Sequence, residues 1–141
     1  MSEPSPDRSR LRWSGLCLDC RDAEQMAQFY GDVFGWTTIA RDAPSEEVGG
    51  SPWILMGDPE GGPTVSFQAE SWYEPPAWPE AEGAPTKMMH LEVGVDSLDE
   101  AVAIVVEAGG RVAPHQPPDR DPARLRVMLD PAGHPFCLCE E

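Results

Sequence analysis

The sequence predicts an α+β fold built from two tandem βαβββ modules within one domain. The first observation is an internal repeat, in which a strand, a helix and three strands occur twice at an offset of 72 to 75 residues. The second is a turn of the form D-P-x-G-x-P, which occurs at residues 58–63 and again at 130–135. The third is the length, because 141 residues suit a single domain with its own apolar core.

Module one is predicted to span residues 13–69. An alternating apolar run over residues 16–20 predicts its first strand. Asp22 followed by Gln25 predicts the start of a helix, and Gly35 predicts its end, because glycine adopts the left-handed conformation that closes many helices. Three short strands follow over 36–40, 53–56 and 64–68.

Module two is predicted to span residues 88–140, after an ordered, extended linker over 70–87 that is rich in proline and tryptophan. Ser97 with Glu100 predicts the start of its helix. The predicted strands of this module cover 90–95, 111–113, 125–129 and 136–139. The repeat therefore divides one domain, residues 13–140, into two halves of the same design.

The composition limits the classes of partner. The chain has 25 acidic and 10 basic residues and a formal net charge of −15, which argues against nucleic acid and against an anionic membrane surface. Residues 1–12 predict a disordered N-terminal tail without the apolar stretch of a secretion signal, and no apolar run is long enough to cross a bilayer. We therefore expect a cytoplasmic protein whose four cysteines are mostly reduced.

Three segments carry a family pattern: AEQMAQFYGDVFGW, HLEVGVDSLDEAVAIVVEAGGRV and LDPAGHPFCLCEE. Together they resemble the vicinal oxygen chelate superfamily, which groups glyoxalases, bleomycin resistance proteins and extradiol dioxygenases. The pattern FQ…PPAWP…MHLEV resembles its glyoxalase-like branch, and the resemblance covers residues 14–140. It implies that each module curls its sheet into half of a cavity between curved mixed sheets, and that the protein is a homodimer.

The resemblance also implies where metal ligands would stand, namely a histidine on the first strand and a glutamate on the last strand of each module. Those positions hold Gly15 and Val65 in module one and His90 and Cys137 in module two, so only His90 matches. Glu92 shares a strand face with His90, which leaves these two residues and Cys137 as weak candidates for zinc, nickel, iron or manganese. We therefore expect no resident metal cofactor.

Alternation along the strands predicts which residues face the cavity. Cys17 and Cys20 have a spacing found in metal sites, but residues three apart on a strand point to opposite faces. The residues expected to contact a ligand are His90, Glu92, Cys137, Cys17, Asp19, Phe67 and Trp53.

Motifs for nucleotide binding, serine hydrolysis and zinc proteolysis are absent from the sequence. The sequence predicts a glyoxalase-like protein that binds or sequesters a small organic compound. Two alternatives stay open. One is a metal-dependent lyase, isomerase or dioxygenase that uses His90, and the other is a non-catalytic dimerising interaction module.

Overall fold

The computed structural model of the chain describes residues 3–5 and 7–141. Module one contains β1 (Gly15–Cys20), α1 (Ala23–Phe34), β2 (Thr37–Arg41), β3 (Trp53–Gly57) and β4 (Thr64–Ala69). Module two contains β5 (Glu92–Val95), α2 (Leu98–Glu107), β6 (Arg111–Val112), β7 (Leu125–Leu129) and β8 (Pro135–Glu140). Within the predicted tail, residues 8–10 form a 3-10 turn, and residues 1, 2 and 6 lie outside the described residues.

Each module forms a four-stranded mixed sheet with the same connectivity. The strand order is β1-β4-β3-β2 in module one and β5-β8-β7-β6 in module two. The pairs β1–β4 and β5–β8 are parallel, and the remaining pairs are antiparallel. The predicted α+β fold of two βαβββ modules is thereby confirmed, although β5 starts at Glu92, two residues later than the sequence indicated.

The helix ends follow from their capping residues. The Asp22 side chain accepts a hydrogen bond from the Gln25 backbone N–H at 3.1 Å, and Ser97 accepts one from the Glu100 N–H at 3.3 Å. Gly35 ends α1 with φ of 73°, in the left-handed region that suits glycine. Among the described residues, neither helix has the length and apolar composition that crossing a bilayer requires.

The register of β1 against β4 corrects one prediction. Leu18 pairs with Phe67, and Cys17 pairs with Ser66. Phe67 therefore shares the helix-packed face with Leu18 and is fully buried, so the expectation that Phe67 lines the cavity is wrong. Val65 and Phe67 alternate with the polar residues Ser66 and Gln68 in the sequence of β4, and this alternation separates two faces of the strand without saying which one packs under the helix.

One apolar core joins the two modules. Tyr30 of α1 stacks on Phe67 with ring centroids 5.2 Å apart, and its ring lies 6.5 Å from that of Phe136 on β8. Phe29 also meets Phe136, at 6.3 Å. Helix α1 thus packs on its own sheet and on the sheet of module two, so neither module buries its apolar face alone.

A polar contact crosses the same core. The Tyr30 hydroxyl donates to the Asp130 carboxylate at 2.8 Å, and both residues are only 1% exposed. Asp130 also accepts the backbone N–H groups of Ala132 and His134, each at 3.0 Å. Burial raises the pKa of Asp130, while nearby His134 and these hydrogen bonds act in the opposite direction. The buried carboxylate therefore has three donors around it.

We expect the substitution Tyr30→Phe to lower the free energy of unfolding by about 1–3 kcal/mol, because it leaves a buried carboxylate oxygen without its donor. Urea denaturation measures this change. The matched background is Asp130→Asn, in which the same Tyr30→Phe change should cost less because no carboxylate is present. Equal costs in the two backgrounds would show that the hydroxyl does not act through Asp130.

Candidate functional site

A cavity of about 570 Å³ lies between β1 and the start of module two. Residues 16–19 of β1 form one wall, and Tyr30 of α1, the linker, residues 89–91 and residues 134–135 form the rest. Ligand pockets in proteins commonly measure about 300–1,000 Å³. The cavity is therefore large enough for a drug-sized organic molecule.

The cavity wall combines apolar surface with a few ionisable groups. The aliphatic, thioether and proline side chains of the wall belong to Leu16, Leu18, Pro76, Pro85, Met89, Leu91 and Pro135. Its ionisable side chains include Asp19, Glu70, Glu74, Lys87, His90 and His134. Such a mixture is typical of small-molecule sites, in which apolar surface provides affinity and a few polar groups set orientation.

His134 holds two parts of the wall together. Its Nε2 lies 2.7 Å from the Asp19 carbonyl oxygen on β1 and 3.3 Å from the Tyr73 hydroxyl of the linker. A donor at Nε2 therefore ties the turn before β8 to the edge of module one. The sequence places this histidine in the second D-P-x-G-x-P turn, where the first turn has Gly62. This exchange of glycine for histidine between the two turns is the feature of the sequence that could have identified His134 as a site residue.

Tyr73 fixes the linker against module two. Its hydroxyl donates to the Ala132 carbonyl at 2.8 Å, and the Arg21 Nε donates to the Tyr73 carbonyl at 3.2 Å. Burial raises the pKa of Tyr73, and nearby Asp130 raises it further, so the phenol stays a neutral donor. The linker is thus ordered by specific contacts where it borders the cavity.

The structure brings together only some of the predicted site residues. Cys17, Asp19 and His90 line the cavity. Glu92 is exposed on the open face of the module-two sheet, with its Oε1 3.6 Å from the Nε2 of His90. Cys137 and Trp53 are half-buried on their sheets and do not line this cavity, and Phe67 lies in the core.

Trp78 of the linker covers the part of the module-two sheet that holds Cys137. It packs in a second apolar cluster with Ala113, Val127, Leu129, Leu125 and Cys137. Its indole Nε1 donates to the His115 carbonyl at 2.9 Å, and the Lys87 ammonium lies 4.5 Å from the ring centroid. The chain itself therefore fills the sheet face where the sequence predicted ligand contacts around Cys137.

A family model described as a glyoxalase-like domain matches residues 15–139. The chain belongs to the glyoxalase-like domain family. No curated protein shows a significant match to it.

Solved structures share the fold of this glyoxalase-like domain. A glyoxalase/bleomycin resistance protein/dioxygenase family enzyme from Burkholderia phytofirmans aligns with TM-score 0.62 at 19% identity, over 92% of this chain and 98% of that one. An antibiotic-binding protein from Streptomyces aligns with TM-score 0.55 at 20% identity, over 92% and 96%. A fosfomycin resistance protein from Listeria monocytogenes, solved with Mn(II), aligns with TM-score 0.61 at 15% identity, over 89% and 86%. The TM-scores show that these proteins share the fold of this chain, and at such low sequence identity the likeness shows the fold alone.

The residues at the superfamily's ligand positions do not fit a metal ion. A Cβ atom at Gly15 would lie 2.0 Å from the Thr64 carbonyl oxygen, so the backbone there leaves no room for a histidine. The side chain of Val65 packs in the core. Cys137 packs in the second apolar cluster beside Trp78 and Val127, and burial raises the pKa of its thiol, as do nearby Cys139 and Glu92.

Among residues 3–5 and 7–141, no three His, Cys, Asp or Glu side chains are grouped closely enough to hold a metal ion. His90 and Glu92 form a pair without a third ligand, whereas a catalytic zinc usually has three protein ligands.

Sheet geometry separates Cys17 from Cys20 as the sequence indicated, since Cys17 is exposed and Cys20 is fully buried. Burial raises the pKa of Cys20 to about 12, which leaves it an inert thiol at neutral pH.

Proposed function

We propose that this glyoxalase-like domain binds a small organic molecule in the cavity between β1 and module two, without a resident metal ion. The observation that carries the proposal is the cavity itself, about 570 Å³ with mixed apolar and ionisable walls. Binding or sequestration needs a shaped, partly apolar site and no reacting group. The domain offers such a site, while the superfamily's metal ligands are largely replaced.

The hydrogen bonds that fix the cavity walls support a preformed site. Strand β1 contributes residues 16–19, which pair with residues 65–68 of β4. The linker wall is fixed through Tyr73, and the turn wall is fixed through His134 and Asp130. Because these groups are already in place, a ligand loses less ordering entropy on binding than it would with mobile walls.

The structural neighbours agree with this class of function. They include a protein described as antibiotic-binding and a fosfomycin resistance protein, so the architecture accommodates small molecules in other chains. At 15% to 20% identity they support the fold, and the proposal for this chain rests on its own cavity.

The neutral naphthalene dye prodan should bind with saturation at one molecule per chain and with a blue-shifted emission, because much of the cavity wall is apolar and the cavity is partly enclosed. Cys17→Trp places a large side chain in the wall and should weaken this binding by more than about tenfold, through loss of cavity volume. Cys17→Ser is the matched control, because it retains the space. Equal affinity in Cys17→Trp and Cys17→Ser would place the dye elsewhere and overturn the proposal.

Metal content distinguishes the proposal from a metal-dependent lyase, isomerase or dioxygenase. The protein purified without chelator should contain less than stoichiometric zinc, nickel, iron and manganese by elemental analysis, because the replaced ligand positions leave too few donors. None of these ions should raise the melting temperature. Stoichiometric metal that disappears in His90→Ala would overturn the metal-free proposal and favour the enzyme.

We also propose that the protein is a cytoplasmic homodimer, as the superfamily resemblance implies. Leu11, Trp13 and Met88 expose 80%, 73% and 90% of their surfaces in the single chain. Covering such side chains in an interface removes apolar surface from water. Sedimentation velocity should therefore give twice the mass of the chain at micromolar concentration. A monomer over the whole concentration range would refute the dimer.

A further inference from the structure

The cavity wall carries carboxylates without counter-charges. Asp19, Glu70 and Glu74 all line the cavity. In the part of the chain that the structure describes, none of these three carboxylate groups has a lysine, arginine or histidine nitrogen within 4.0 Å of its oxygens. Glu70 accepts a hydrogen bond from the Gln68 amide at 2.6 Å, and that bond leaves its negative charge in place.

The basic groups of the wall are already engaged by other partners. The Lys87 ammonium lies 3.0 Å from Glu80 and also sits over the ring of Trp78. His90 faces Glu92 at 3.6 Å, and the Nε2 of His134 contacts the Asp19 carbonyl oxygen and the Tyr73 hydroxyl. The charge of Lys87 is therefore balanced by a carboxylate outside the cavity wall, whereas the three acids of the wall have no such partner among the described residues.

Aromatic residues share the cavity wall with these carboxylates. Trp72 and Tyr73 lie between Glu70 and Glu74 in the chain, and both line the cavity. Trp72 is 94% exposed as a residue, so its side chain is open to an incoming molecule. The negative face of an aromatic ring attracts a cation, and the attraction is stronger where carboxylates lie close by.

We infer that the ligand of this cavity is an organic cation with an apolar or aromatic body, such as an amine or quaternary ammonium compound. The inference rests on the proposed function, since it concerns the occupant of the same cavity. The cavity defines the site, and its unpaired carboxylates and aromatic rings decide the charge of the molecule that fits. The apolar body would contact Leu16, Leu91 and Met89, while the cationic group would lie toward Glu70 and Glu74.

Three probes with one naphthalene group and different charges test this inference. They are (2-naphthylmethyl)trimethylammonium, its uncharged carbon isostere 2-neopentylnaphthalene, and 2-naphthylmethanesulfonate. Fluorescence titration of the full-length protein at low salt should give a dissociation constant about tenfold lower for the cation than for the neutral isostere. The anion should bind most weakly. At 300 mM salt the preference should shrink, because screening weakens charge interactions in a partly open site.

Paired charge variants locate the source of the preference. Glu70→Gln together with Glu74→Gln should reduce the ratio of neutral to cationic dissociation constants by at least about threefold. Glu60→Gln together with Glu82→Gln is the matched control. It removes the same net charge from two exposed residues outside the cavity wall, and the ratio should stay at the parent value.

The outcomes separate this inference from the proposed function. Equal or tighter binding of the neutral isostere would overturn the cation preference and leave the cavity as a ligand site. A ratio that responds equally to both pairs of variants would show that only the overall charge of the protein attracts the cation, which also overturns the inference. Failure of every probe, together with failure of prodan, would overturn the proposed function itself.

Discussion

The buried contact between Tyr30 and Asp130 is the interaction on which the arrangement of the two modules depends. It joins α1 to the turn before β8 across 100 residues of sequence. The same carboxylate accepts two backbone N–H groups of that turn, so one side chain both shapes the turn and docks it on module one. Because the group is desolvated, it requires all of its donors, and this couples the turn, the helix and the core.

The cavity is a consequence of that docking. Once Asp130 fixes the turn, His134 reaches the Asp19 carbonyl on β1 and approaches Tyr73 of the linker. The linker then closes the third side, held by the bond from Tyr73 to Ala132. The candidate site is therefore built at the junction of two modules and a linker, and none of the three contains it alone.

The duplicated turn shows how one motif has acquired two roles. Asp58 accepts the Glu60 N–H at 2.9 Å, as Asp130 accepts the Ala132 N–H at 3.0 Å. Asp58 is exposed, however, whereas Asp130 is buried under Tyr30. The local turn chemistry is the same in both repeats, and the tertiary environment alone makes the second copy a structural centre.

The sequence by itself determined the local elements: capping residues set both helix starts, turn residues set the hairpins, and the repeat set the two-module fold. It also separated Cys17 from Cys20 by strand alternation. Only the tertiary structure decided that the apolar face of β4, which includes Phe67, packs under α1, because alternation separates two faces without saying which one lies toward the cavity. Only the tertiary structure brought Tyr73 and His134 to β1. Such long-range contacts depend on the packing of distant segments, which local spacing does not encode.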